Sequence, residues 1–392
     1  MNFALSNDQK MLRDEVRKFA ENELAPLAPE IDISGEFPKE SIKKLADMGL
    51  LGIVVPEKYG GSEFDFVSLA IAIEEISRAC ASTGVITAVN NSLATYPILK
   101  FGNKEHKEKY LPDLCSGKKI GAIGITEPNA GSDVAAMETT AVLDGDHYIL
   151  NGAKRFITNG TEAGIFVVFA YTNKGLKHKG ISAFIVERDT LGFSLGKHED
   201  LMGIRATGNC ELIFEDCKIP KENLLGELGQ GFFICMNTLD VSRIDIGAQA
   251  VGISQAALDE AVKYSKERVT FGKPICKFGM IQNMLAEMAT QIHAARMLVY
   301  YAAWCKDAGV TNDLFSCLFL IMNFFCTSSK KIRDFIKVFH GFRSSFPCFF
   351  HSFNVVFNHF DGCVFNRFVQ FIDLILSHIW SILFSCFDFA CH

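Results

Sequence analysis

Residues 122–133 read AIGITEPNAGSD, and this stretch changes character halfway along. An apolar run that is typical of a β-strand gives way to Glu-Pro-Asn and then to Gly-Ser-Asp. Gly131 lets the backbone approach a ligand closely, and the hydroxyls of Thr126 and Ser132 can donate to carbonyls or phosphates. Two interpretations are open: an ordinary surface loop, or a strand end that holds a polar ligand.

The same stretch lies where the hydrophobic periodicity changes. Before it, residues 1–118 carry apolar positions at helical spacing. After it, Val/Ile/Phe-rich runs alternate with turns, and helical spacing returns in two long segments, at about 232–267 and 278–306. Strands that are separated only by turns favour an antiparallel barrel or sandwich over a βαβ nucleotide fold. We therefore predict an α+β protein.

The predicted organisation has four parts. They are an N-terminal helical domain (1–118), a middle antiparallel β-barrel or sandwich domain (119–230), a C-terminal helical bundle (231–310) and a Phe- and Cys-rich tail (311–392). The predicted strands of the middle domain are two around an Asp144-Gly145 turn within 141–150, then 164–171, 180–187 and 210–214.

The composition changes at Thr311. From there onward the chain has 19 Phe, 6 Cys and a single Ala, and no Glu follows Glu287. The tail has three possible interpretations: a wrong reading frame or assembly error, a membrane-associated extension, or a replacement domain. We favour the first, which leaves the bundle truncated or replaced after about residue 310.

Overall charge and cysteine content exclude several classes of function. The 39 basic and 45 acidic residues nearly balance, so charge predicts no nucleic-acid or membrane partner. The 13 cysteines include no CxxC pair, which favours reduced thiols over disulfides or a metal site. The first residues lack a signal or transit pattern, and we expect a cytoplasmic protein.

A second motif, Lys154–Gly160, reads KRFITNG. It sets the aromatic face of Phe156 beside the hydroxyl of Thr158, as a planar heterocycle requires. Phe156 is equally compatible with a plain β-core position.

Two further motifs lie in the C-terminal helical part. In ERVTFGKP, residues 267–274, Arg268 offers a planar fork for a pyrophosphate and Thr270 a hydroxyl; the alternative is a surface arginine near a helix end. In TLDVSR, residues 238–243, Asp240 and Arg243 lie on one helix face, where a salt bridge explains them as well as a ligand does.

With these four motifs in this order, the sequence resembles the acyl-CoA dehydrogenase family over residues 1 to about 310. It is most similar to the short-chain, butyryl-CoA branch. The resemblance also includes ALSNDQKMLRDEVRKFAENELAP, GLLGIVVPEKYGG, GISAFIVE, MGIRAT and CELIFEDCKIP. It implies the three-domain order given above, an FAD bound between the domains, a short-chain acyl-CoA substrate, an electron-transfer flavoprotein as electron acceptor, and a homotetramer.

The resemblance also implies roles for individual residues. Those expected at the cofactor are Ile123, Ile125, Thr126, Gly131, Ser132, Phe156, Ile157 and Thr158, with Arg268, Thr270 and Phe271 reaching the FAD of a neighbouring subunit. Those expected at the substrate are Ser132, Asp240, Val241, Ser242 and Arg243. The sequence departs from the family at Phe156, where Trp is usual, and at Gly279, where Gln is common.

The catalytic base is the main departure. The family removes the α-proton of a thioester with a carboxylate, while hydride leaves the β-carbon for the flavin. The short-chain branch carries this Glu near the C-terminus, where our chain has none, and some relatives carry it at the position of Ser242. Asp361 is only a faint substitute, so we assign no catalytic residue.

Turnover is therefore expected to be absent or very low. The rival hypothesis is a non-catalytic flavin- or acyl-CoA-binding protein, or the nonfunctional product of a frameshifted gene.

Overall fold

The computed structural model describes residues 4–310. Its helices are α1 (Asn7–Phe19), α2 (Ala28–Ser34), α3 (Lys39–Asp47), α4 (Phe66–Ala79), α5 (Ala81–Ala88), α6 (Tyr96–Phe101), α7 (Lys104–Cys115), α8 (Gly231–Glu267) and α9 (Gly279–Asp307). Its strands are β1 (Ile120–Gly124), β2 (Thr140–Asp144), β3 (His147–Ile157), β4 (Ala163–Tyr171), β5 (Ile181–Glu187), β6 (Phe193–His198), β7 (Cys210–Pro220), β8 (Leu224–Leu225), β9 (Val269–Thr270) and β10 (Lys273–Pro274). The predicted order of helical, β-rich and helical parts is confirmed.

The N-terminal helices form where capping and apolar spacing favour them. Ser6 and Gln9 make a reciprocal capping box at the start of α1. The Asp65 side chain caps α4 by accepting from the backbone N–H of Ser68, 2.7 Å away. A helical segment between α5 and α6, Val89–Thr95, is wound as a π-helix. The α4 helix is buried along almost its whole length, so it forms the centre of this part.

The middle strands form one eight-stranded sheet with the order β6-β7-β3-β2-β4-β5-β8, and β1 pairs with β4. Most pairs are antiparallel, as predicted, but β1 runs parallel to β4 from Ile120 to Gly124, and β2 pairs in parallel with β4 at Thr140 and Tyr171. The expectation of a purely antiparallel domain is therefore wrong for β1 and for the contact between β2 and β4. A helical segment, not a hairpin turn, precedes β1, and nothing in the local chain imposes an antiparallel pairing on it.

The two faces of β4 belong to different cores. Phe166 and Val168 pack with Leu212 and Phe214 of β7, so the sheet encloses one core between its own strands. The alternate residues, represented by Val167, pack with α6, α7 and the start of α8. This arrangement places the end of β1 directly beside the helices.

The two long helices agree with the sequence prediction to within about two residues at each end. Their apolar faces join one core with α1, α3, α4 and α5. At 37 residues, α8 is about 55 Å long. It begins against the sheet and ends at the short β9–β10 hairpin.

The predicted tail, 311–392, lies outside the described residues. Within residues 4–310, no helix combines the length and apolar character needed to cross a membrane.

Candidate functional site

The AIGITEPNAGSD segment begins in strand β1 and continues into a tight turn. After β1, the backbone N–H groups of Glu127 and Ala130 each donate to the other residue's carbonyl, at 2.9 and 3.2 Å. Gly131 and Ser132 follow and are exposed. A Cβ added at Gly131 meets no atom of residues 4–310 within 4 Å, so packing against these residues does not require glycine there.

Phe156 adopts an unusual conformation at the end of β3. Its φ is +59°, in the left-handed region that non-glycine residues rarely occupy, and its side chain is 54% exposed. The Arg155 guanidinium lies 5.0 Å from the ring centre. The alternative of a plain β-core position for Phe156 is wrong, because its ring is presented to the surface.

The next two residues lie deeper. Ile157 is buried in the core of the sheet and pairs with Cys210 of β7. Thr158 is half-buried, and its hydroxyl accepts only a long hydrogen bond, 3.5 Å, from the Asn209 amide. The Thr158 hydroxyl therefore keeps hydrogen-bonding capacity beside the exposed Phe156 ring.

The structure brings the first two motifs together. The Arg155 backbone N–H donates to the Thr126 carbonyl at 2.8 Å. The ammonium of Lys154 contacts a Glu127 carboxylate oxygen at 2.6 Å and the Ile125 carbonyl at 3.2 Å. These contacts join residues that are 27 to 29 positions apart in the chain, and Ile125 and Thr126 beside them are half-buried.

Asn159 is a structural residue that the sequence analysis missed. It is fully buried, and its amide donates to the carbonyls of Ile86, at 3.2 Å, and Gly121, at 3.1 Å. Its φ is +67°, a conformation that asparagine tolerates better than most residues. Asn159 therefore joins the end of β3 to β1 and α5. The only sign of this role in the sequence was the Asn-Gly pair at residues 159–160, which is typical of a turn.

The start of α8 lies against the same loop. Ile123, Ile125 and Val134 pack in one apolar cluster with Met236 and Leu239 of this helix. The candidate substrate residues begin immediately after Leu239, so the structure brings the third site segment next to the first.

Within that segment, the four residues are not equally accessible. Asp240 and Arg243 form an i,i+3 ion pair of 2.6 Å at the surface. Burial raises the pKa of Asp240, and Arg243 opposes that rise. Val241 is fully buried, and the buried Ser242 donates its hydroxyl to the Leu239 carbonyl at 3.0 Å.

A polar chain near Asp240 was also missed. The Lys306 ammonium donates to the Tyr96 hydroxyl at 2.6 Å, and this hydroxyl donates to Asn237 at 3.0 Å. Burial lowers the pKa of Lys306 below its ordinary value, and the negative charge of Asp240 only partly opposes this effect. These residues come from three helices, so no local pattern in the sequence indicated their meeting.

The remaining candidates lie elsewhere in the subunit. Arg268, Thr270 and Phe271 form the hairpin after α8, about 42 Å along that helix from Asp240 at 1.5 Å per residue. Phe271 has a φ of +52° and is 91% exposed. Within one subunit the structure does not bring these three residues to the loop at Gly131.

Asp245, one turn after Ser242, is the most unusual carboxylate of α8. It is 1% exposed, and among residues 4–310 neither of its oxygens has a hydrogen-bond partner. Burial raises its pKa to about 8. The other acid considered from the sequence, Asp361, lies outside the described residues.

Known proteins match this chain along most of its length. Models of the acyl-CoA dehydrogenase N-terminal, middle and C-terminal domains match residues 6–118, 122–217 and 229–326. The short-chain specific acyl-CoA dehydrogenase of Clostridium acetobutylicum is 50% identical over 310 residues, which is 79% of this chain and 82% of that protein.

Solved structures share the fold. Butyryl-CoA dehydrogenase from Megasphaera elsdenii matches with a TM-score of 0.86 and 42% identity, covering 91% of this chain and 94% of that chain. A chain solved in work on the electron transferring flavoprotein of Acidaminococcus fermentans also matches with a TM-score of 0.86, at 46% identity over 90% of this chain and 93% of that one. The chain therefore belongs to the acyl-CoA dehydrogenase family of flavoprotein oxidoreductases.

Proposed function

We propose that this protein is built for the FAD-dependent α,β-desaturation of a short-chain acyl-CoA resembling butyryl-CoA. The main observation behind this proposal is the conformation of Phe156. Its backbone is strained, its ring is exposed, and the adjacent Arg155 bonds to Thr126 in the loop that also contains Ser132. Strained backbone concentrates at functional sites because surrounding structure must hold it in place. The names of the similar proteins given above support the same reaction.

The residues present suit a flavin. Phe156 offers an apolar face for a planar ring, and the hydroxyl of Thr158 follows two residues later. Thr126 is brought to the same place because its carbonyl accepts the backbone N–H of Arg155. Ser132 and the backbone at Gly131 are accessible for further hydrogen bonds. FAD held here would supply the hydride acceptor, and these residues would position its ring.

The substrate segment would lie on α8, next to this loop. Arg243 has a partly exposed guanidinium for an anionic or carbonyl group of the coenzyme A part, and Asp240 orients it through their ion pair. Val241 and Ser242 are buried by the packing of the helix, so we propose that they shape the wall of the acyl-CoA site and carry no charged group into it. Ser132 would face the same acyl-CoA from the loop.

The proton-removing group is the weak point of this proposal. No Glu follows Glu287, and the position before Arg243 holds Ser242, whose hydroxyl is already bonded to Leu239. A serine hydroxyl without an adjacent base removes an α-proton poorly. A missing base of this kind lowers the rate by about 10²–10⁴-fold, so we propose impaired turnover.

Partner and assembly belong to the same proposal. In the hairpin after α8, Arg268 and Phe271 are exposed and Thr270 is half-buried. The hairpin is too far from the Gly131 loop of its own subunit, which supports its contact with a neighbouring subunit's FAD in a homotetramer. An electron-transfer flavoprotein would receive the electrons, in line with the structural neighbour from that system. The free thiols of Cys80, Cys115, Cys210, Cys217, Cys235 and Cys276 fit a reducing cytoplasm.

The organisation into a helical domain at 1–118, a β domain at 119–230 and a partial bundle at 231–310 remains our proposal for the domain boundaries.

A titration of flavin absorbance tests the proposed function. Full-length protein reconstituted with FAD is mixed anaerobically with butyryl-CoA, and we expect slow bleaching of the flavin band. A protein that binds no FAD would contradict the proposal.

A second candidate is a non-catalytic flavin- and acyl-CoA-binding protein, and the missing Glu favours it. In that case butyryl-CoA shifts the flavin band without bleaching it.

A further inference from the structure

The loop at Gly131 is anchored by a buried ion pair between Glu127 and Lys154. The Lys154 side chain is 0% exposed and that of Glu127 is 4% exposed, with 2.6 Å between the Lys154 ammonium and a carboxylate oxygen. Burial lowers the pKa of Lys154, and the Glu127 carboxylate opposes this effect. Two charges withdrawn from water are stable only with good mutual geometry and additional hydrogen bonds.

Glu127 makes those additional hydrogen bonds to the far end of its own loop. Its carboxylate accepts the backbone N–H groups of Glu138, at 2.5 Å, and Thr139, at 3.1 Å. Its own backbone closes the tight turn with Ala130. The carboxylate therefore joins both ends of a loop that contains Gly131 and Ser132.

Lys154 connects this loop to the other half of the site. Its ammonium also donates to the Ile125 carbonyl at 3.2 Å, and the next residue along β3, Arg155, donates its backbone N–H to Thr126. The register between β3 and β7 shifts between Lys154 and Ile157, which is where Phe156 takes its left-handed conformation. Lys154 is thus the last regularly paired position before the strained residue.

A buried ion pair is a poor choice for fold stability alone. Apolar residues of similar volume usually stabilise a core at least as well, whereas charges and hydrogen bonds fix direction and distance. The pair lies between the two segments that must keep a fixed separation to hold one planar ring.

We propose that Glu127 and Lys154 are positioning residues for the flavin, which set the placement of the loop at 125–132 relative to Phe156–Thr158. This inference rests on the proposed function, because it assumes that the flavin binds between these segments. Neither residue needs to contact the flavin. Their effect passes through the backbone of Ile125, Thr126 and the loop that Glu127 closes.

The test compares three variants of the full-length chain: Glu127→Gln, Lys154→Met and the double variant. The double variant is decisive because it removes both charges and leaves no unpaired buried charge. Lys44→Met is the control, since Lys44 forms an equally short pair with Glu23 at an exposed position. FAD affinity is measured by fluorescence quenching, ring placement by visible circular dichroism of the bound flavin, and stability by thermal unfolding without FAD.

We expect each single variant to unfold at a lower temperature than the wild type. The double variant should recover most of that loss but still bind FAD about tenfold or more weakly, with a changed dichroism spectrum, because directional contacts are gone. The Lys44→Met control should match the wild type in both flavin measurements.

Two results overturn the inference. One is a folded double variant with wild-type affinity and spectrum; the other is a double variant that fails to fold, because the pair would then serve the fold. A wild-type protein without FAD affinity would instead contradict the proposed function, before any variant is compared.

Discussion

Glu127 in the β-rich part and Asp245 inside α8 are both buried acids, but their surroundings differ. Burial alone raises the pKa of Glu127, yet Lys154 and the backbone N–H groups of the loop hold it below its ordinary value. Asp245 finds no hydrogen-bond partner for either oxygen within the part of the chain that the structure describes, and burial raises its pKa to about 8. Its polar neighbour Ser92 directs its hydroxyl to the Ala88 carbonyl, 2.8 Å away.

The difference shows that burial does not decide the charge of an acid by itself. A carboxylate with a cation and two N–H donors remains ionised inside the protein, whereas an isolated one takes up a proton near neutral pH. The two acids must therefore contribute to stability with opposite dependence on pH.

The largest expected effect comes from Asp245→Asn. The pKa of Asp245 is 3.8 when unfolded and about 8 when folded. Between these values the folded state binds the extra proton, so wild-type stability falls as pH rises through this window. The Asn variant should lose this fall, which amounts to on the order of 5 kcal/mol across the window. Urea unfolding at several pH values measures it.

The matched control is Asp200→Asn, because the Asp200 side chain is 93% exposed. Its stability profile should run parallel to the wild type. If the stability of the Asp245→Asn variant also followed the wild-type pH dependence, Asp245 would have to be solvated. The contrast between Asp245 and Glu127 would then not hold.

The next effect is the loss of the partner in the satisfied site. Lys154→Met leaves the Glu127 carboxylate buried without its cation and should reduce the free energy of unfolding by about 3–5 kcal/mol at neutral pH. Because the pKa of Glu127 is lowered in the folded protein, its contribution is present above its ordinary 4.5 and lost as pH falls through the folded value. Urea unfolding at neutral pH measures the loss of stability in the Lys154→Met variant. Urea unfolding of the wild type above and below pH 4.5 measures the contribution of Glu127. A loss under about 1 kcal/mol at neutral pH would contradict these expectations.

A smaller effect is expected at the strained aromatic residue. Phe156→Gly relieves the left-handed backbone, but it also loses the buried part of a ring that is 54% exposed and adds freedom to the unfolded chain. These effects oppose one another, so the free energy of unfolding should change by no more than about 1 kcal/mol. The same variant should bind FAD more weakly. Thermal unfolding and FAD titration measure the two effects.

Lys177→Gly is the control for Phe156→Gly, because Lys177 also has a positive φ, +51°, and belongs to none of the candidate site segments. It should keep its FAD affinity. If both variants lose FAD affinity equally, the effect at Phe156 is not local.

The smallest effect on stability is expected for Arg243→Ala. The Asp240–Arg243 pair is partly exposed, and such helix pairs contribute about 0.3–0.5 kcal/mol. Acyl-CoA affinity, measured by the shift of the flavin band, should fall more clearly than stability. An unchanged affinity would leave the pair as an ordinary salt bridge of the helix surface.

Periodicity in the sequence was sufficient to predict the long helices, the Asp144-Gly145 turn and the order of the parts. It failed for β1, because pairing direction depends on what lies beside a strand and not on its own residues. The apolar residues of β1 fit either direction equally well.

For the site, the motifs containing Phe156 and Asp240 were visible from residue types and spacing. Glu127 and Lys154 were each inside a quoted motif, but their pairing joins positions 27 residues apart and needs the folded sheet. Asp245 gave no local signal, because an acid on a long helix is usually exposed.

The continuity of α8 has a mechanical consequence. One uninterrupted rod carries Asp240 near its beginning and ends where Arg268 begins the hairpin, so its length fixes the spacing between these two groups. Inserting one residue in the middle of the rod would advance its far end by about 1.5 Å and rotate it by about 100°. The two binding segments that we propose at the ends of the helix would then lose their alignment together, although every side chain in them would be unchanged.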